Sequence, residues 1–300
     1  MDFGPGDGWP LLVVPSLVNR AYIMDLMPGA SLLEYLRDNG IRPMLLDWGE
    51  GQNAESLLSI DGLITDHIEP ALDWVRSSTG KRPLVAGYCM GGTLALALAC
   101  RSQDRMAGLA LLAAPWDFGQ EAAAGRVAAR HHKLTSLTGH AGSAPVDFLQ
   151  VLFAHIDPLS VPRKFARFAQ IDATSETALR FVAIEDWLND GVALNADIFN
   201  QCLIDWFIGN APARGGWRLD GLPIKPERLM LPVFLAIPDY DRIVPPASAL
   251  PLVDLIPHCE WIRPKAGHVG MVAGLNAETS LWLPLMRWLR RIAALQKKPW

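Results

Sequence analysis

One run of small and apolar residues, Leu84-Val85-Ala86-Gly87-Tyr88-Cys89-Met90-Gly91-Gly92, leaves few folds open to this chain. Its first half reads as a short buried strand, and the residues after Cys89 as the start of an apolar helix. A strand that turns into a helix around one strained residue leaves no room for a Cβ at the flanking positions. Gly87 and Gly91, two residues to either side of Cys89, meet that demand. This is the shape of a nucleophile elbow with cysteine at its tip. The free N–H groups and positive dipole end of the following helix favour an anionic sulfur. The competing reading is a strand and helix packed around an inert thiol, since free cysteines are often buried.

The elbow lies within an alternation of apolar runs and helical patterns. Leu11-Leu12-Val13-Val14 reads as a strand, Leu32 to Asn39 as an amphipathic helix ended by Gly40, and Pro43 to Trp48 as a second strand. Leu63, Ile64, Ile68, Leu72 and Val75 give Asp61 to Ser77 a helical period, and Gly108 to Ala114 is the strand after the elbow helix. Near-continuous apolar strands separated by helices predict an α/β architecture, a mostly parallel sheet flanked by helices. From Trp116 to Met230 the alternation gives way to helical patterns rich in Phe, Trp and Pro. The expected organisation is therefore a core of residues 1–115 and 231–300 with a largely helical cap, 116–230, inserted. Beyond it come a strand at Leu231 to Ile237, a loop from Pro238 to Pro246, a helix through Leu255, a strand at Cys259 to Arg263 and a loop holding His268. Leu281 to Leu295 reads as an amphipathic helix with Arg287, Arg290 and Arg291 off its apolar side, suited to closing the sheet domain or to touching an apolar surface.

Of the 300 residues, half are hydrophobic and 19% charged, which fits a globular enzyme-sized chain. A net charge of −4 and a pI near 6.0 argue against a nucleic-acid partner, which would call for a concentrated basic surface. The first residues lack the basic start and apolar core of an export signal, and no apolar stretch is long enough for a transmembrane segment. Both point to a cytoplasmic location. Cys89, Cys100, Cys202 and Cys259 show neither zinc-ligand spacing nor disulfide density. Cys100, inside an apolar helix, reads as a small core residue. No metal is expected, because His67, His131, His132, His140, His155 and His258 lack a second ligand at a telling spacing.

A thiol at an elbow becomes a nucleophile when a histidine can move its proton and a carboxylate can orient that histidine. The chain order nucleophile, acid, histidine is that of the α/β-hydrolase fold. Here Cys89 is followed by Asp239 and Asp241 in one loop and by His268 in another, each just beyond a strand's C-terminal end. Spacing alone leaves the two aspartates open. Negative charge developing on an acyl oxygen needs fixed donors. The N–H of Met90, opening the elbow helix, is one candidate for such an oxyanion hole. The loop Pro15-Ser16-Leu17-Val18 offers the other through Leu17, unless that loop is only a turn.

These residues resemble the polyhydroxyalkanoate synthase family, acyltransferases of the α/β-hydrolase fold with a cysteine nucleophile. The resemblance runs from about Pro10 to Val272. It rests on Val14-Pro15, Asn19, Tyr22-Ile23 and Asp25-Leu26, then on Ser31-Leu32, Tyr35-Leu36, Gly40 and Trp48. Further along, Gly87 to Thr93, Trp116-Asp117-Phe118 and Trp187-Leu188-Asn189-Asp190 continue it. Asp241 with Ile243-Val244-Pro245, and Gly267-His268-Val269, complete it. The resemblance implies Cys89 as acyl carrier, Asp241 rather than Asp239 as the acid, and His268 as the base. The chain departs from the family in lacking its long N-terminal region. Ser16-Leu17 stands for a proline-tryptophan pair, Arg242 for a histidine, and Pro246 for a tryptophan.

The implied chemistry is transfer of 3-hydroxyacyl groups from CoA thioesters through an acyl-Cys89 to a hydroxyacyl or polyester acceptor. Acyl-CoA enters as substrate and no cofactor is implied. A dimer or a partner subunit, and a place at the surface of polyester granules, are compatible with the same resemblance. The alternatives are a thioesterase or ester hydrolase using the same three residues with water, and a non-catalytic, granule-associated or partner-stabilising relative. Transfer requires exclusion of water, which Trp187, Trp206, Phe207 and Trp217 would provide unless they are ordinary core. Arg163, Lys164 and Arg167 read as a solvated basic cluster.

Overall fold

The computed structural model describes residues 1–4, 7–49, 59–120, 142–154 and 160–296. Six parallel strands form its sheet: β1 (Trp9–Val14), β2 (Ile41–Leu45), β3 (Leu84–Tyr88), β4 (Gly108–Leu112), β5 (Val233–Ala236) and β6 (Cys259–Ile262), in the order β6-β5-β4-β3-β1-β2. Every residue of β1, β3, β4 and β5 is buried, as expected of strands covered on both faces. The chain leaves β1 for the edge strand β2 and returns on the other side of β1 to form β3. That reversal opens a crevice between the C-terminal ends of β1 and β3, where parallel sheets place their ligands.

The second strand begins and ends earlier than its sequence suggests, because its register is set by β1, from Trp9 opposite Ile41 to Val13 opposite Leu45. Pro43 is tolerated because β2 lies at the sheet edge. There the N-terminus adds an antiparallel bridge, Asp2 to Met44, with Phe3 N–H donating to Pro43 O at 3.0 Å.

The helices that matter for the site are α1 (Leu32–Asp38), α2 (Glu69–Thr79), α3 (Met90–Ser102), α4 (Val146–Ala154), α5 (Ser160–Phe168), α6 (Glu176–Asn189), α7 (Ala196–Gln201), α8 (His268–Ala273) and α9 (Leu283–Gln296). Ser31 caps α1 by accepting from Glu34 N–H at 3.0 Å, and Gly80 ends α2 at φ +66°. Helix α3 is buried all round from Met90 to Ala99, and each of its leucines contributes about 1.5–3 kcal/mol by leaving water. The sheet strands all come from residues 9–112 and 233–262, while residues between them supply α4 to α7 and two short antiparallel pairs. Helix α9 turns Leu285, Trp288, Leu289 and Ile292 inward, with Trp288 5.6 Å from Phe234 of β5, so its apolar side closes the sheet. Arg290 reaches outward to donate to Asn39 O at 2.9 Å.

Gly91 packs so tightly that a Cβ there would stand 2.2 Å from Pro15 O and 2.5 Å from Val14 O, both backbone atoms. Gly91→Ala is expected to destabilise the fold by about 3 kcal/mol or more, since the loop after β1 has to move. Denaturant unfolding measures this, and a loss below about 1 kcal/mol would show that the loop yields easily.

Candidate active site

The site is assembled from three strand ends. At the end of β3, Cys89 takes φ +54° and ψ −129°, the strained elbow conformation, and its N–H donates to Leu112 O at 2.9 Å. Gly87 makes this turn feasible, because a Cβ on it would lie 2.5 Å from Gly92 Cα. Beyond β5, the Asp241 carboxylate is fixed by its own loop: Oδ1 accepts from Ile243 N–H at 2.9 Å and from Val244 N–H at 2.8 Å. Its other oxygen, Oδ2, lies 2.6 Å from His268 Nδ1. Beyond β6, His268 does not sit in a loop as its flanking glycines suggest. It is the first residue of α8, whose opening turn closes through Met271 N–H to Gly267 O at 2.9 Å.

The imidazole of His268 is buried, and the Cys89 sulfur lies close enough to bear on its proton. Tyr88 lies beside it, ring centroids 4.9 Å apart, and donates its hydroxyl to His268 O at 3.3 Å. Burial alone pushes the imidazole toward the neutral form. The Asp241 carboxylate and the Cys89 sulfur outweigh it and hold His268 well above the ordinary histidine value. Asp239 is engaged elsewhere, 2.6 Å from the Arg263 guanidinium, so only Asp241 of the two faces the histidine. The other thiols have no such surroundings: burial pushes Cys100 and Cys202 up to about 12 and raises Cys259.

Met90 opens α3 directly after the nucleophile position, and Gly91 presses the loop after β1 against the elbow. Trp48 anchors that loop by donating Nε1–H to Ser16 O at 3.1 Å. Ser16 and Val18 line the cavity over Cys89, whereas Leu17 lines a separate cavity of about 200 Å³. The cavity over Cys89 and His268 measures about 550 Å³. Its walls include Leu149 of α4, Phe165 of α5 and Trp187 and Leu188 of α6.

Of the four aromatics expected to seal the site, Trp187 alone lines this cavity. Trp206 stands 5.2 Å from both Phe118 and Trp217, and Phe207 5.1 Å from Phe118, so these three build core instead. Trp187 Nε1–H donates to Arg20 O at 2.8 Å, Asn19 Nδ2–H to Trp187 O at 3.4 Å, and Arg20 pairs with Asp190 at 2.8 Å. The two motifs around Asn19 and Trp187, 168 residues apart, thus form one wall. Arg242, and the pair Lys164 and Glu185 whose charged atoms meet at 2.7 Å, also line the cavity, a place that sequence reading did not give them. Lys164 had read as solvated surface; its partner comes from a different helix, which local pattern does not show. His131, His132, His140 and His155 lie outside the described residues. Among the described residues no helix is long and apolar enough to cross a membrane.

Residues 10–274 match the family model for the alpha/beta hydrolase fold. The chain belongs to that family. Within the alpha/beta hydrolase fold it is similar to poly(3-hydroxyalkanoate) polymerase subunits PhaC, 31% identical over 288 residues to that of Haloferax mediterranei and 27% over 285 residues to that of Haloarcula marismortui. Each match takes in 93% of this chain but only 58% and 60% of the relative's length. A PhaC subunit of Synechocystis is 26% identical over 291 residues and is covered to 77%. Solved alpha/beta hydrolases superpose along nearly the whole chain. The monoacylglycerol lipase of Paleococcus ferrophilus has a TM-score of 0.60 at 16% identity, covering 97% of this chain and 98% of that one. An esterase from Thermogutta terrifontis has 0.58 at 18%, covering 97% and 92%.

Proposed function

We propose that the protein is an acyltransferase of the polyhydroxyalkanoate synthase type, moving 3-hydroxyacyl groups from CoA thioesters by way of an acyl-Cys89. The observation that carries this is the Asp241 carboxylate 2.6 Å from the His268 imidazole, with that imidazole and Cys89 together lining one largely apolar cavity. The similarity to PhaC subunits supports the choice of acyl group and acceptor.

In the first half-reaction His268 takes the thiol proton and the Cys89 sulfur attacks the thioester carbonyl. The N–H groups of Met90 and Leu17 receive the oxyanion. The carbon–sulfur bond to coenzyme A breaks, and the departing sulfur takes the proton back from the imidazolium. In the second half-reaction His268 removes the proton of an acceptor hydroxyl, whose oxygen displaces Cys89 and leaves an oxoester. Exchange of one thioester for another is nearly neutral, and oxoester formation runs downhill. Helices α4 to α6 act as a cap that keeps water from the acyl-enzyme, with Trp187 and Leu188 lining the same cavity as the nucleophile.

The reading is tested by mixing the protein with radiolabelled 3-hydroxybutyryl-CoA and following free CoA thiol, label on protein, soluble acid and insoluble product. Thiol release with label on Cys89 and in oligomeric ester is the expected result. Thiol release with label only in monomeric acid would replace the transferase by a hydrolase. Absence of both thiol release and labelled protein would overturn acyl chemistry.

A further inference from the structure

Arg180 lies on α6, the helix whose far end carries Trp187 and Leu188 into the acyl cavity, and only 7% of it is exposed. Its guanidinium is aimed at backbone carbonyls of the core. One Nη donates to Gly274 O at 2.9 Å and stands 3.5 Å from Ala273 O; the other donates to Gly29 O at 2.9 Å and pairs with Glu176 at 2.6 Å. Ala273 and Gly274 are the last residue and the cap of α8, the helix that His268 begins. A six-residue helix leaves its final carbonyls without helical partners, and donors from elsewhere must meet them. Trp282 meets one more, donating to Val272 O at 2.9 Å. Gly29 precedes α1 and belongs to the stretch that continues from the loop after β1.

We propose that Arg180 is a positioning residue for His268, fixing α8 against α6 and so holding the imidazole in line with Cys89 when the acyl cavity is formed. The inference rests on the roles proposed above for Cys89, Asp241 and His268. It goes beyond them in making the wall of the cavity and the placement of the base a single rigid unit. Residues 180 and 187 lie two turns apart on one continuous helix, so a displacement at the cavity end is carried to the end that grips α8. The fixed fork of a guanidinium suits three carbonyls from two segments better than an ammonium does.

The groups facing the imidazole are Asp241 at Nδ1, the Cys89 sulfur, and the ring of Tyr88. Arg242 and the Lys164–Glu185 pair line the same cavity. If α8 shifts, the imidazole moves away from Asp241 and Cys89 together, and the support for its proton weakens.

Arg180→Met and Arg180→Gln are therefore expected to lower the midpoint of His268 titration, followed by NMR of the imidazole in each folded variant. Acyl-Cys89 formation at saturating acyl-CoA is expected to slow by on the order of 10²-fold, with KM changed much less. Arg180→Lys, which offers donors without the fork, should fall between these variants and the unaltered protein. A purely structural arginine would lower the melting temperature and leave the His268 midpoint where it was. The glutamine variant keeps a donor amide, and decides the matter if the methionine variant does not fold. A folded Arg180→Gln with an unshifted His268 midpoint overturns the proposal. Because the titration needs no substrate, that outcome is separate from a failure of acyl transfer itself.

Discussion

Cys89→Ala is expected to lower turnover of a 3-hydroxyacyl-CoA by about 10⁴-fold or more and to leave no acyl group on the protein. No other thiol can take over. Cys100 and Cys202 are pushed up to about 12 by burial, and Cys259 is raised while its sulfur rests 3.3 Å from Val253 O. Among the described residues, no hydrogen bond joins any of these three thiols to an imidazole. Alanine retains the Cβ at φ +54°, so the strain of the elbow is unchanged and the fold should survive with its melting temperature nearly intact. Mass measurement of intact protein after brief mixing with acyl-CoA, beside release of CoA thiol, separates chemistry from folding. An adduct on the alanine variant, or turnover within tenfold of the unaltered protein, would remove Cys89 from the role of nucleophile. Cys89→Ser is a weaker test, because an alcohol is much less acidic than a thiol and an ester on serine still hydrolyses slowly.

The sheet was legible because strands buried on both faces are written as unbroken apolar runs, and Leu11 to Val14, Leu84 to Tyr88 and Gly108 to Leu112 fall where those runs lie. The elbow was legible for a steric reason: two backbone approaches under 3 Å allow only glycine at 87 and 91. Less was visible where a partner lies far away in sequence. Spacing could not separate Asp239 from Asp241, and it is Arg263, on the far side of β6, that draws Asp239 away from the histidine. Glycines around His268 suggested a loop, whereas Gly267 in extended conformation is the cap from which α8 starts. The aromatics between Trp187 and Trp217 look alike as sequence. Their division into one cavity residue and three core residues follows from distant packing: Trp206 and Phe207 meet Phe118, and Trp217 meets Trp206. Arg180 showed locally only a helical i, i+4 pairing with Glu176, since the acceptors that bury it are distant carbonyls at Gly29 and Gly274.

Asp241→Asn is expected to cut acylation by on the order of 10³- to 10⁴-fold while leaving the cavity intact. The reason is directional. Oδ1 of Asp241 already receives two N–H groups, from Ile243 and Val244, so an asparagine keeps its carbonyl oxygen there and turns its NH₂ toward His268. An NH₂ facing Nδ1 makes that nitrogen an acceptor and moves the imidazole proton to Nε2, the nitrogen that must accept the thiol proton. The base is then blocked even though it has not moved. The same change removes the charge that raises His268. In the unaltered protein the folded imidazole holds its proton above the ordinary value of 6.5, so the imidazolium's contribution to stability is complete below that pH and is lost as pH rises through the folded pKa. Denaturant unfolding across that window should show stability falling with rising pH in the unaltered protein and a flatter profile in Asp241→Asn. Equal slopes in the two proteins, or acylation by the variant within tenfold of normal, would mean that the carboxylate neither charges nor orients the histidine.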